Sequence, residues 1–417
     1  MMCLCIEKGY EIVNFNETAD TYIINTCTVT GEAERKSKQM VRKAIKKNHL
    51  AKVIVTGCSA QSCSEELRNI SGITAILGNT EKKDVLKCLE KNEIKYPYIE
   101  INPIKDLKGY DTLSNTYIKK HIRSLIKIQD GCNNFCSYCK VPYVRGPERS
   151  RKPAEIIKEI QILEEKGIKE IVLLGINLGT YQHDFENKER KLPQLIQLIE
   201  KNCKHIRRIR LSSIEINHIG NDLIEMFHTS QKICQHLHIP LQSGDDKILK
   251  LMNRPYNTSF FKDTVDKVRS AVPGIAITTD IMVGFPGEDN FSMEKAYSFL
   301  KKVNFSKLHV FPYSERKECL SQMLPDKVDS LNKKERRNRL LDLSKELNSK
   351  YMTENLKNKK YIIIESVKRD LNEKTAFGIT DNYIPVKVDD FRGEKGDMVK
   401  VKLIDIEKEH MLGKILQ

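Results

Sequence analysis

No apolar run in this 417-residue chain approaches the roughly 20 residues that a helix needs to cross a bilayer. Its start, Met1-Met2-Cys3-Leu4-Cys5-Ile6-Glu7-Lys8, lacks the charged n-region and long apolar stretch of a signal peptide. Both absences predict a cytoplasmic protein without a membrane partner. Its 12 cysteines are then expected as thiols or metal ligands rather than disulfides. The second half of a zinc finger is also missing. One C-x2-C pair stands in the cysteine-dense stretch, and no further pair or H-x3-5-H follows at finger spacing. Acid is scarce in three segments. Residues 35–52 hold eight Lys/Arg and no acid, residues 201–210 hold five and none, and residues 140–152 hold five against Glu148 alone.

The chain is 40% hydrophobic and 30% charged, with a net charge of +15 and a pI of about 9.1. That apolar content supports real cores, and the length suits two or three domains. The basic excess points to a polyanionic partner held mainly through phosphates. Arg35, Lys36, Lys43, Arg149, Arg151, Arg207 and Arg208 are the candidate RNA-binding residues; solvated helix faces are the alternative reading of each cluster.

Residues 20–92 alternate strand and helix. Runs at 20–26 and 52–56 are buried strands, with a Lys/Arg-rich helix at about 31–48 between them. This predicts a small doubly wound α/β domain over 1–95. Residues 93–118, with Pro97 and Pro103, read as a linker. Residues 119 to about 315 show six strand–helix repeats, centred on Leu125–Ile128, Ile171–Leu174, Arg208–Leu211, Leu237–Pro240, Ala276–Met282 and Leu308–Phe311. Six parallel units make a partial (βα)6 barrel within a domain at 119–350, with chemistry at the strand carboxyl ends. Residues 316–357 read as charged and helical. After Tyr361 the pattern alternates like a strand, and a small all-β barrel is expected over 355–417.

Cys132, Cys136 and Cys139 form a C-x3-C-x2-C stretch with Tyr138 just before the last thiol. Three thiolates hold three irons of a [4Fe–4S] cube and leave one iron open to a substrate, where an electron-transfer cluster takes four cysteines. Zinc is the alternative occupant. Cys27 and Cys58 each stand just past the end of a predicted strand, where α/β sheets bind ligands. Two cysteines so placed suggest a second metal site; two buried thiols are the alternative.

The C-x3-C-x2-C motif resembles that of the radical S-adenosylmethionine (SAM) superfamily. The order of motifs along nearly the whole chain resembles its methylthiotransferase family. Asn25-Thr26-Cys27-Thr28-Val29-Thr30 and Thr56-Gly57-Cys58-Ser59-Ala60-Gln61 look like that family's N-terminal domain. Cys132 to Cys139, with Val141-Pro142-Tyr143-Val144-Arg145-Gly146-Pro147-Glu148-Arg149-Ser150-Arg151 after it, looks like the radical SAM core, and the C-terminal segment looks like a TRAM domain. Leu174-Gly175-Ile176-Asn177-Leu178-Gly179-Thr180-Tyr181 resembles the branch acting on N6-threonylcarbamoyladenosine beside the tRNA anticodon. Isopentenyladenosine tRNA and a ribosomal-protein aspartate are the substrates of the other branches.

The resemblance implies two [4Fe–4S] clusters, SAM, tRNA as partner, an external electron donor and a monomer. It implies Cys132, Cys136 and Cys139 as ligands of one cluster and Cys27 and Cys58 as ligands of the other. Tyr138, Gly175, Asn177, Ser213, Gln242 and Gly284 are candidate SAM contacts; turn chemistry alone is the other account of those after Tyr138. The family also has a third N-terminal cysteine on an earlier strand. Before Cys27 this sequence has only Cys3 and Cys5, at other spacing. The expectation is therefore an incomplete first domain and a weakly held second cluster. A SAM-cleaving remnant and a zinc-stabilised RNA-binding module are the corresponding alternatives. Lys317-Glu318-Cys319-Leu320 also departs from the family pattern of small residues.

Overall fold

The computed structural model describes residues 1–417 except 29, 63, 91–96, 106, 108, 111–121, 186–187, 371–372 and 417. The chain divides into two compact units. The first comprises residues 1–117, 130–149 and 314–323, and the second comprises 118–129, 150–313 and 324–417.

In the first unit, strands β1 (Thr21–Thr26), β2 (Lys52–Gly57), β3 (Ala75–Leu77) and β4 (Tyr98–Glu100) form one parallel sheet in chain order. Buried Val and Ile dominate β2, as a strand covered on both faces requires. Helices α1 (Met2–Glu7), α2 (Gly31–Lys47), α3 (Cys58–Ser62) and α4 (Val85–Glu90) supply the cover. On one face Tyr22, Ile24, Val53 and Val55 meet Val41 and Ala44 of α2. On the other, Ile54, Ala75 and Leu77 meet Cys5 of α1 with Val85 and Cys88. Thr30 caps α2 by accepting the Ala33 N–H at 3.1 Å, and Glu32 and Glu34 lie in its first turn. The sheet runs past the expected boundary at 95. β4 lies inside the expected linker and pairs with β3, from Ala75↔Tyr98 to Leu77↔Glu100. A three-residue strand between prolines is too short for alternation to reveal.

In the second unit, six strands follow one another: β5 (Arg123–Lys127), β6 (Glu170–Leu174), β7 (Arg208–Leu211), β8 (His236–His238), β9 (Ala276–Val283) and β10 (Lys307–Pro312). They form two three-stranded parallel sheets, joined where Ile209 bridges Ile233. The result is the partial barrel expected. Period-two alternation sends Ile126, Ile171, Leu173, Ile209 and Leu211 outward onto crossover helices such as α5 (Pro153–Glu165) and α6 (Leu192–Asn202), where Ile156, Ile160, Leu195 and Ile199 close the core. Helix α7 (Ser330–Glu354) begins later than expected. Its cap, Asp329, accepts from the amides of Leu331 and Asn332 at 2.9 Å.

Strands β11 (Lys359–Asp370), β12 (Glu373–Thr380), β13 (Pro385–Val388), β14 (Met398–Glu407) and β15 (His410–Ile415) close into a barrel in the order β11-β12-β13-β15-β14. It packs under the amino ends of β6 and β7. Arg208 donates to the Ile379 carbonyl at 3.0 Å and to that of Tyr361. Arg210 donates to Asp381 O at 2.9 Å and Thr380 O at 3.2 Å. Among the described residues no helix is long and apolar enough to cross a membrane.

Candidate functional site

The cysteine loop belongs to the first unit. Gly131 has φ 78°, and a Cβ there would collide with the Pro147 carbonyl, so glycine lets the two arms of the loop close. Cys132 N–H then reaches Gly146 O at 3.1 Å, and Cys139 N–H reaches Cys136 O at 2.9 Å. Phe135 takes the left-handed conformation, φ 46°, and the chain turns between the first two thiols. Val141 N–H donates to Cys139 Sγ at 3.4 Å. Burial pushes the Cys139 thiol up to about 12; the Val141 amide opposes this, while Cys136, Cys132 and Cys319 add to the rise. Cys132 and Cys136 thus lie close enough to Cys139 to disfavour its ionisation. Among the described residues no three His, Cys, Asp or Glu side chains converge at metal-binding distance. Three sulfur donors and an N–H···S bond fit a soft-metal or iron–sulfur group. Zinc shares that preference.

Cys27 and Cys58 are neighbours because of strand register. Thr26 pairs with Gly57 at the carboxyl ends of β1 and β2, so the next residue on each strand is a cysteine. Gly57 has φ 100°, and a Cβ there would strike Thr26 O. Arg145, after the cysteine loop, donates Nε–H to Cys58 Sγ at 3.0 Å and stands 3.7 Å from Asp130. Asn79 adds a longer contact, Nδ2 to Cys58 Sγ at 3.7 Å, and is anchored on Val144 O at 2.7 Å. The two contacts fix the direction in which Cys58 Sγ points. Arg145 and Asn79 were not foreseen as site residues. Arg145 stands in the sequence within the motif that follows the cysteines, six residues after Cys139, and nothing there marks it as a partner of Cys58. Cys5 packs in the core of α1, Ile54 and Leu77, away from this pair.

Residues 314–323 join the same unit. Ser321 N–H donates to Ser137 O at 2.8 Å, Lys140 pairs with Glu318 at 3.5 Å, and Arg316 pairs with Glu34 at 3.0 Å. Cys319 is buried there. Lys317 pairs with Glu66 at 3.1 Å.

The remaining candidates divide. Tyr138 is half-buried on the cysteine loop. In the second unit, Gly175, Asn177, Ser213, Gln242 and Gly284 all follow strand carboxyl ends. A Cβ on Gly175 would crowd Leu178 Cα at 2.9 Å and Gln129 Oε1 at 3.0 Å. Asn177 is buried, with its amide on Gln129 Oε1 at 3.0 Å and its side chain 3.3 Å from His218 Nε2. Gln242 has φ 70° and is held between Asp280 O and Met282 N, while its Oε1 has no hydrogen-bond partner among the described residues. Gly284 has φ 72°; a Cβ there would meet Lys333 of α7, and this packing accounts for the glycine.

The basic candidates also divide. Arg35, Lys36 and Lys43 on α2 and Arg207 are exposed. Three others are corrected. Arg208 is buried, pairs with Glu170 at 3.5 Å and holds the C-terminal barrel. Arg151 is buried on Glu159 and Glu155. Arg149 donates to Arg145 O at 2.9 Å and Pro147 O at 2.8 Å and faces Asp130. A buried cation with its partners around it has no capacity left for phosphate.

A profile described as the radical SAM superfamily matches residues 126–300, and one described as the uncharacterized protein family UPF0004 matches residues 1–78. The threonylcarbamoyladenosine tRNA methylthiotransferase MtaB of Bacillus subtilis is 40% identical over 400 residues, covering 95% of this chain and 88% of that protein. MtaB of Aquifex aeolicus is 35% identical, covering 95% and 94%. A tRNA-2-methylthio-N(6)-dimethylallyladenosine synthase of Thermoanaerobacter is 34% identical, covering 99% and 88%. Among solved structures, the radical SAM methyltransferase TsrM of Kitasatospora setae superposes with a TM-score of 0.51 at 13% identity, covering 74% of this chain and 64% of that one, a likeness of fold. The chain belongs to the radical SAM methylthiotransferases, in the threonylcarbamoyladenosine tRNA methylthiotransferase family.

Proposed function

We propose that this protein adds a methylthio group to C2 of N6-threonylcarbamoyladenosine in tRNA. The observation that carries this reading is the 40% identity over 95% of the chain to a relative named for that substrate. The cofactors are [4Fe–4S] clusters and SAM. Cys132, Cys136 and Cys139 would hold one cluster, and Cys27 and Cys58 would contribute to the second. Such a pair supplies one-electron opening of the SAM sulfonium and the sulfur to be transferred.

The chain's own residues set the conditions. Gly131 and the Cys132–Gly146 hydrogen bond close the loop that carries three thiols. The Val141 amide orients Cys139 Sγ. Arg145 and Asn79 orient Cys58 Sγ. Burial of Cys136 and Cys58 keeps water from the sulfurs. The exposed cations of α2 and Arg207 offer phosphate contacts to tRNA. We further propose that the protein works as a cytoplasmic monomer reduced by an external donor.

Anaerobic reconstitution with iron and sulfide tests the reading. Roughly eight irons per chain are expected for two clusters. Replacing Cys132, Cys136 and Cys139 together by Ala should abolish 5′-deoxyadenosine formation under dithionite and 2-methylthio modification of tRNA in cells lacking their own enzyme. Undiminished 5′-deoxyadenosine from that variant would refute the ligand assignment; a zinc-only chain would refute the reaction.

A further inference from the structure

The six-stranded wall and the C-terminal barrel of the second unit line an open-sided cavity of about 680 Å3. It reaches from Ser212 and Ser213, past the carboxyl end of β7, down to the amino ends of the strands. Four cationic side chains line it, Arg123, Arg210, Lys307 and Lys395, against one carboxylate, Glu365. Arg123 is paired with Glu365, and Arg210 with Glu170 at 2.9 Å. Lys395 is exposed on the C-terminal barrel.

Lys307 differs. Along β10, Leu308 is buried while Lys307 and His309 are exposed, so period two sends the latter two to the same face, into the lumen. Among the described residues, neither the Lys307 ammonium nor the His309 ring has a hydrogen-bond or ion-pair partner. His238, whose ring centroid is 5.4 Å from that of His309, is already engaged, by Thr278 Oγ1 at 2.9 Å and Asp280 at 3.3 Å. Burial, with His238 and Lys307 nearby, holds His309 below its ordinary value despite Asp280, so this ring is neutral near pH 7. The lining also includes the apolar side chains of Leu125, Val172, Leu174 and Ile384. Leu125 is 52% exposed, large for an aliphatic residue on a strand. Among the described residues the cavity therefore offers two uncommitted cations, Lys307 on its strand wall and Lys395 on the exposed side of the C-terminal barrel, the neutral His309 ring with both nitrogens free, and apolar side chains.

That combination matches a small amphipathic carboxylate. The substrate's N6 arm carries a carboxylate, a hydroxyl and a methyl group. We propose that the lumen receives this threonylcarbamoyl arm, Lys307 pairing with its carboxylate, His309 hydrogen-bonding its hydroxyl and Leu125 and Val172 taking its methyl. The proposal rests on the substrate reading above and adds the residues that enforce it. The amino-acid carboxylate of SAM is the other source of the same chemistry, and the test separates the two.

The test uses cluster-reconstituted full-length protein and two anticodon stem-loops. One carries threonylcarbamoyladenosine, and the other carries its carboxamide analogue. Dissociation constants are measured by fluorescence anisotropy and KM by methylthiolation. Wild type should favour the carboxylate by roughly ten- to a hundredfold, the range of a charged hydrogen bond. Lys307→Met should abolish that preference by weakening only the carboxylate stem-loop, and Lys307→Arg should keep it. A Lys307→Met variant that retains the wild-type preference overturns the proposal. So does one whose weakening lies in the dissociation constant for SAM. If wild type methylthiolates neither stem-loop, the substrate reading itself fails and takes the proposal with it.

Discussion

At the scale of single residues, Arg145 has the largest consequence. Its Nε donates to Cys58 Sγ while its terminal nitrogen faces Asp130, so one side chain couples a strand-end thiol to the start of the cysteine loop. Removing a group that orients a metal ligand costs about 10–100-fold in metal affinity. Arg145→Met should therefore release iron first from the second cluster proposed at Cys27 and Cys58, at chelator concentrations where wild type retains its full content. Iron titration against a graded chelator series checks this; coincident release curves would assign Arg145 to packing alone. The cysteines stand out as candidates from sequence, because spacing and position after a strand suffice to mark them. Arg145 does not, because its role depends on a contact with a residue 87 positions away.

At the scale of elements, β7 is the instructive case. Its sequence, Arg208-Ile209-Arg210-Leu211, reads as a basic stretch, and the charge pattern suggested RNA. The strand instead points both arginines at Glu170 and at four carbonyls of the C-terminal barrel. Period-two alternation was visible, but the partners on the polar side were not. Breaking such a buried network by removing one partner costs about 3–5 kcal/mol. Arg208→Met should thus lower the midpoint of thermal or urea unfolding strongly. Its neighbour Arg207→Glu, on the exposed side, should leave the midpoint in place and weaken tRNA binding. Equal stabilities for the two variants would return Arg208 to the surface group. The same reasoning explains β4, whose three residues gain strand identity only by pairing with β3.

At the scale of the whole molecule, the net charge of +15 is divided between cations that hold structure and cations that face solvent. Helix α2 carries the clearest exposed set, Arg35, Lys36 and Lys43, although Lys36 is paired with Glu32 at 2.8 Å. Reversing Arg35 and Lys43 to Glu should weaken tRNA binding at low salt. It should also flatten the slope of log affinity against log salt by about 0.7–0.9 for each phosphate left unneutralised. Filter binding across a salt series checks this, and an unchanged slope would make α2 a solvated face. The fold class was legible because strand runs and helix periods repeat at regular intervals over long segments. The assignment of residues 314–323 to the same compact unit as the cysteine loop was not. It rests on hydrogen bonds such as Ser321 to Ser137, which no local pattern encodes.

The grip of Arg208 and Arg210 on the C-terminal barrel also sets an order in time. Arg210 finds its acceptor on Asp381, 171 residues further along the chain. A ribosome making this protein releases the six-stranded wall long before it releases the segment that satisfies the wall's lower edge. Until then two guanidinium groups and the lone Glu170 carboxylate between them face water or a chaperone. The nascent wall is therefore finished by a much later part of the chain, and a product stopped short of β12 would leave the ribosome with its floor open.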